Sequence, residues 1–239
     1  MRGVPTAEDY YRAVTTAASG PPAKTRKASG ASKLTKGQRT RQRIFDAAFR
    51  LFGERGYQAV SLRDIAAEVG ITHVTVLHYF SSKDELLAEL MVHRDEVERE
   101  AAVAFLETDH EAHSEYGGLH APALRWMIHR LQENALETGA VPLFLKISTE
   151  ASDPSHPAHQ HFVARYRTLV GLLAQGFDEE FAYLPEGAVR VDPRVAAEHL
   201  IAIADGLQIQ SIYNADTNLI VDDVWEYLRL LGVVAARPA

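Results

Sequence analysis

The chain reads as all-α: about nine helices, arranged as a small N-terminal three-helix head and a larger helical body. Three observations predict this class. From Gln38 onward, apolar residues recur at three- and four-residue spacing, the repeat of a single helix face. No stretch of useful length alternates apolar and polar residues as a half-buried strand would, and no internal repeat is present. Helix starts and stops are marked by Ser, Thr or Asp before a periodic run, Pro in first turns and Gly after ends.

The elements follow in chain order. Residues 1–37 read as a flexible basic tail: Gly20-Pro21-Pro22 and the Lys/Ser/Gly-rich run after it have no apolar period. Asp9 to Ala18 could add a turn or two of helix. The first helix of the head spans Gln38 to Arg55, with Ile44, Ala47, Ala48, Leu51 and Phe52 inward and Gly56 closing it in the left-handed conformation. The second starts at Ser61, with Asp64 three residues on, and buries Ile65, Ala66 and Val69. After Gly70-Ile71-Thr72, a third runs from His73 to about Phe80. A fourth starts at Ser82, where Glu85 completes an S-x-x-E box, and turns Leu86, Leu87, Leu90 and Met91 inward.

Thr108 to Leu119 reads as a loop. The body then holds helices from Pro122 to about Thr138, after Pro142 to before Asp153-Pro154, from Pro157 to about Phe181, from Asp192-Pro193 to about Tyr213, and from Val221 to Val234. The expected organisation is tail 1–37, DNA-binding head 38–82 and ligand-binding, dimerising body 83–239.

Composition narrows the function classes. There is no cysteine, so disulfides, thiolate metal sites and cysteine nucleophiles are excluded. No run of 18 apolar residues could span a membrane, and Glu8 and Asp9 interrupt any secretory-signal core. The expected place is the cytoplasm. The net charge of -7 conceals an asymmetry: residues 1–43 hold ten Lys/Arg against two acids, and the remainder is strongly acidic. A basic arm on an acidic body is a layout of nucleic-acid binders.

The segment from Leu62 to Phe80 is a helix-turn-helix. Its first helix braces a second whose N-terminal residues face base edges in the major groove. Ala66 and Ala67 are small where the helices cross, and Gly70 tolerates positive φ. With Val76 and Phe80 inward, Thr72, His73, Thr75 and His78 face outward, where Thr and His can bond to bases or phosphates. Ser61, Leu62 and Arg63 open one helix, and Lys83 opens the next; backbone N–H groups at such starts can hold phosphate. Arg39, Arg41 and Arg43 can reach the DNA backbone or minor groove. Residues 44–90 hold four Lys/Arg and seven Asp/Glu, so affinity is expected to lean on the arm and on helix N-termini.

The run GITHVTVLHYFSSKDELL (Gly70 to Leu87), with Phe52-Gly53, Gly56-Tyr57, Val60-Ser61-Leu62 and Ile65-Ala66 before it, resembles the TetR family of bacterial transcriptional regulators. The resemblance covers about 50 residues. It implies a homodimer on a near-palindromic operator, a small-molecule effector pocket in the body, and repression relieved by ligand. Tyr79 and Lys83 inherit phosphate roles from it. The family commonly has Gly at the position of Val74, Leu at Val76 and Tyr at Leu77. Val74 therefore gives the recognition helix a bulkier outer face, and Leu77 cannot make the phosphate hydrogen bond a Tyr would.

In the body, Trp126, Met127, Phe144, Phe162, Tyr166 and Phe177 fall at helical spacing. Most read as core; Trp126, His129, Gln132, Phe144, Phe162 and Tyr166 are the candidate effector-binding set. The apolar faces of Asp205 to Asn214 and Asp222 to Gly232 could pair with a second copy in a four-helix interface. His156, His159 and His161, and His110 and His113 beside Asp109 and Glu111, are the groups a metal would use; His156-Pro157 instead starts a helix, where a His often serves as a surface or capping residue, and no metal or cofactor is expected. The alternative function is a helical enzyme with a His/Asp/Glu site in the body, although no P-loop, G-x-G-x-x-G, G-x-S-x-G or H-E-x-x-H motif is present. An architectural DNA-binding protein would not need so large an apolar body.

Overall fold

The computed structural model describes residues 35–108, 116–136, 140–188, 190–213 and 219–234. Among them are nine α-helices and no strand: α1 Lys36–Arg55, α2 Leu62–Val69, α3 His73–Tyr79, α4 Lys83–Thr108, α5 Pro122–Leu136, α6 Ala140–Glu150, α7 His159–Phe181, α8 Pro193–Tyr213 and α9 Leu219–Leu230. The residues fall into two compact units. One takes its described residues from Pro22–Val97 and Thr138–Val163, the other from Glu98–Glu137 and Ala164–Ala239. The expected helix at Asp9–Ala18 lies outside the described residues.

In the first unit, α1 starts earlier than the periodicity suggests. Thr35 Oγ1 accepts from Gln38 N at 3.2 Å, and the Gln38 side chain accepts from Thr35 N at 2.8 Å, a reciprocal cap that satisfies two otherwise orphan donors. Ile44, Phe45, Ala48, Leu51 and Phe52 form its buried stripe. Gly53 lets α6 approach closely, since a Cβ there would lie 3.4 Å from Leu143 Cβ.

Gly56 does not close α1 in the left-handed form. Its φ is 83° and its ψ 163°, a region open essentially to glycine alone. A Cβ at this position would also collide with the Glu150 carboxylate. That carboxylate accepts from Tyr57 N at 3.1 Å and Gln58 N at 3.2 Å, so the end of α6 holds the α1–α2 loop.

Helix α2 has the reciprocal Ser61/Asp64 cap and ends on Gly70 at φ 71°, ψ 37°, the left-handed cap read from sequence. Thr72 caps α3 through Thr75 N at 3.1 Å. At α4, Ser82 Oγ accepts from Glu85 N at 3.0 Å. The return bond of the expected box goes elsewhere: the Glu85 carboxylate accepts from the N–H and hydroxyl of Ser81, both at 2.5 Å.

The second unit packs α5, α7, α8 and α9 around Leu124, Ile128, Leu173, Phe177, Leu200, Val224, Trp225 and Leu228. Gly176 admits α5, with its Cβ position 3.4 Å from Ala123 Cβ and Leu124 Cγ. Buried Glu180 accepts from Ala121 N at 2.6 Å, and buried Arg125 donates to the Leu119 and His120 carbonyls. These bonds satisfy polar groups that would otherwise be costly to bury. Asp192 Oδ1 caps α8 through Arg194 N and Val195 N. Tyr227 of α9 donates to the Ala196 carbonyl of α8 at 3.0 Å. Helix ends also differ from the periodicity: in the first unit α6 begins at Ala140, ahead of Pro142, α7 begins at His159, after a turn at Pro157, and α9 spans Leu219–Leu230 instead of Val221 to Val234.

Candidate nucleic-acid interface

Helices α2 and α3 meet through the Gly70 turn, and α3 divides cleanly into two faces. Val76 and the Phe80 that follows the helix are 0% and 1% exposed, whereas Val74 is 74% and Leu77 40% exposed. Thr72 and His78 are exposed, and His73, Thr75 and Tyr79 are half-buried. The hydroxyls of Thr72 and Thr75 lie 2.8 Å apart. The outward face therefore carries small hydroxyls, imidazoles and aliphatic groups, and α3 contains no Lys or Arg.

At the start of α2, Ser61 and Arg63 are exposed, while the Leu62 side chain points into the core at 9% exposure. Leu62 can thus offer DNA only its backbone. The N–H groups of Leu62 and Arg63 precede the first intrahelical bond, which runs from Ile65 N to Ser61 O at 3.2 Å. Donors in that position, at the positive end of the helix dipole, suit a phosphate.

The basic residues divide into two groups. Arg39 is exposed on the first turn of α1. Arg41 pairs with Glu89 and lies over the rings of Phe45 and Phe80 at 4.8 and 5.3 Å. Arg43 donates to the Val69 carbonyl at the end of α2. Lys83 donates to the Tyr57 and Val60 carbonyls, both at 2.9 Å, and sits 4.1 Å from the Tyr57 ring centroid. An ammonium has three donors, and two of these are committed to the loop that leads into α2. The structure thus uses Arg41, Arg43 and Lys83 as braces that hold α1, the loop before α2, and the ends of α2 and α4 together. The Tyr79 hydroxyl lies near Gly37, where a Cβ would come within 3.7 Å of it.

Sequence reasoning missed the residues that support this frame. The Tyr57 hydroxyl donates to Asp84; burial, then that carboxylate, pushes its phenol well above the ordinary range. Tyr57, Asp84 and Glu150 are far apart in sequence, so no local spacing pattern could have joined them.

The effector candidates separate into small groups. In the first unit, Phe144 and buried Phe162 pack edge to face with centroids 5.2 Å apart. In the second, buried Trp126 and His129 pack with Phe105, and Tyr116 bonds His129 Nδ1 at 3.4 Å. Tyr166 donates to Asp205 Oδ2 at 2.7 Å; burial raises the Asp205 pKa. Gln132 is exposed. A groove of about 730 Å³ also opens in the first unit, lined in part by Phe45, Phe49, Leu90 and His93, and none of the six candidates lines it.

The described histidines diverge. His159 Nδ1 lies 2.8 Å from the Ala151 carbonyl, and His161 Nδ1 lies 3.6 Å from Asp95. His156 is buried beneath the Tyr57 ring. Among the described residues, no three His, Cys, Asp or Glu side chains are placed to hold a metal. Asp109, His110, Glu111 and His113 lie outside them.

Comparison with known proteins points the same way. Residues 44–90 match the family model for bacterial regulatory proteins of the tetR family. The chain is 27% identical over 179 residues to the HTH-type transcriptional regulator PksA of Bacillus subtilis (strain 168), covering 73% of this chain and 80% of that one. It is 40% identical over 53 residues to the HTH-type transcriptional regulator AcrR of Shigella flexneri, covering 22% of this chain and 25% of that one. A match to an HTH-type transcriptional repressor of Mycobacterium tuberculosis has 44% identity over 50 residues, 21% of this chain and 27% of the relative. These two short matches span about a quarter of each relative's length. Among solved structures, a transcriptional regulator from Saccharomonospora viridis in complex with choline superimposes with a TM-score of 0.63 at 23% identity, covering 80% of this chain and 96% of that one. Salmonella enterica GusR gives 0.61 at 20%, covering 85% and 100%, and the SmeT–triclosan complex 0.60 at 24%, covering 81% and 90%.

Proposed function

We infer, from the match of residues 44–90 to the model for bacterial regulatory proteins of the tetR family, a DNA-binding transcriptional regulator that works as a homodimer and answers to a small-molecule effector. It binds a near-palindromic operator, acts as a repressor, and works in the cytoplasm, where its DNA is. The observation that carries this reading is the outward face of α3: exposed, uncharged and shaped by a core that holds Val76 and Phe80 beneath it.

In this reading Thr72, His73, Val74, Thr75 and His78 meet base edges. The N–H groups of Leu62 and Arg63, with Tyr79 and Arg39, meet phosphates, and Ser61, whose own N–H is held by Asp64, caps the helix start that presents them. Lys83, Arg41 and Arg43 act chiefly by positioning. The functional division is a basic arm over 1–37, a DNA-reading head over 38–82, and effector binding and dimerisation over 83–239.

Two features support the rest. On α8, Ile209, Ile212 and Tyr213 are 48%, 57% and 82% exposed, and Leu230 on α9 is 70% exposed. Apolar surface of this kind gains when a second copy covers it. The candidate effector contacts are Trp126, His129 and Tyr166, with Asp205 as a polar partner, and Phe144 and Phe162; exposed Gln132 is the weakest of the original set. Complexes with choline and triclosan among proteins of this fold support a small-molecule effector. No described helix is long and apolar enough to cross a membrane. Effector binding biases α4, which leads directly from the head, and so shifts the population between DNA-competent and released states. A small change in the spacing of two heads is enough, because half-sites lie whole helical turns apart.

The test is footprinting with purified dimer on the DNA flanking its own gene, followed by genome-wide immunoprecipitation. A protected inverted repeat is expected. Folded dimer that protects no discrete site in either experiment overturns the reading.

A further inference from the structure

The sequence of α3, HVTVLHY, contains no Arg, Lys, Asn or Gln. Those are the side chains that read guanine or adenine through paired hydrogen bonds in the major groove. Its polar groups are also partly engaged. Thr72 Oγ1 accepts from Thr75 N at 3.1 Å, and the two hydroxyls share a 2.8 Å contact.

Two of the exposed side chains on this helix are aliphatic. Val74, its second residue, is 74% exposed, and Leu77 is 40% exposed. They stand one turn apart and so form a single stripe. Val74 lies among the N-terminal residues that a recognition helix directs at base edges. An aliphatic group there gains free energy only by covering apolar surface. Among the four bases, the one apolar group in the major groove is the C5-methyl of thymine.

We propose that Val74 and Leu77 form a thymine-methyl reader. Each half-site carries a thymine whose methyl packs on Val74, with a second methyl-bearing thymine against Leu77. Sequence is therefore selected on α3 mainly by methyl contact, and the histidine and threonine groups add single hydrogen bonds. This rests on the DNA-reading role proposed above and names what that role reads.

The experiment replaces thymines of the footprinted operator, one position per half-site at a time, with deoxyuridine, which pairs alike but lacks the methyl. Affinity of the full chain is measured by fluorescence anisotropy. One or two positions per half-site should weaken binding about 4-fold per methyl, the factor that one buried carbon group yields. Val74→Ala should abolish the deoxyuridine effect at one position, and Leu77→Ala at the other. Both side chains are exposed, so neither change opens the core. Unchanged affinity for every deoxyuridine duplex would overturn the methyl reader while leaving a bound, discrete operator intact. So would a deoxyuridine penalty that persists in both variants. Failure to bind any discrete operator would overturn the underlying regulator reading as well.

Discussion

Lys83 and His156 show how neighbours decide what one side chain does. Lys83 stands at the start of α4, where an ammonium could meet a phosphate, yet its donors go to the Tyr57 and Val60 carbonyls. Its charge thus fixes the loop entering α2. His156 presents the opposite case, a buried group short of a partner. Its Nδ1 accepts from Ala158 N at 3.2 Å, which places the proton of the neutral ring on Nε2. That atom is buried without a hydrogen bond, and the Glu150 carboxylate lies 3.9 Å away. Burial holds the imidazole pKa below its ordinary value of 6.5, against the pull of Glu150. The folded state therefore refuses a proton that the unfolded chain accepts. This has no consequence well above pH 6.5. As pH falls below that value, stability drops, by at most about 1.4 kcal/mol per pH unit for one proton. Unfolding midpoints measured between pH 7.5 and 5.5 should decline less steeply in His156→Gln than in the parent. Identical slopes would assign the decline to other groups.

Among the elements, α2 depends most on its ends. Eight residues are too few for a stable isolated helix. It persists because Ile65, Ala66 and Val69 are buried and because both termini are capped. Ser61 Oγ accepts from Asp64 N at 3.3 Å, and Asp64 accepts from Ser61 N at 2.8 Å. Ser61→Ala removes the first bond and should cost about 1 kcal/mol, read as a lower urea midpoint; Ser61→Thr should retain most of the stability. Equal midpoints for Ser61→Ala and the parent would mean packing alone sets this helix. Capping signals were legible at the level of elements: Ser61, Gly70, Thr72 and Asp192 all act as their residue types suggest. Two of the exceptions have local causes. The Thr35/Gln38 cap extends α1 upstream of its apolar stripe, and Glu85 finds the two Ser81 donors ahead of the Ser82 N–H.

For the whole molecule, charge should govern the proposed DNA contact. The head is mildly acidic over residues 44–90, and six Lys/Arg lie within residues 1–34. Removing residues 1–34 leaves the Thr35 cap of α1 in place. It should weaken operator binding and flatten its salt dependence, because each phosphate contact contributes roughly 0.9 to the slope of log K against log salt. Titration over a range of salt concentrations checks this. An unchanged slope would show that the arm does not touch the duplex.

The sequence by itself determined the all-helical class, the helix-turn-helix and its inward pair Val76 and Phe80. Those depend on local periodicity and on caps within three or four residues, which a single chain displays directly. Only the tertiary structure decided that α6 belongs to the compact unit of α1 to α3, that Glu150 holds the loop at Gly56, and that Lys83, Arg41 and Arg43 are braces. Each of these joins residues distant in sequence. A cation or carboxylate looks the same in sequence whether it meets solvent, a phosphate or a backbone carbonyl; the packing that brings one of these within about 3 Å settles the choice.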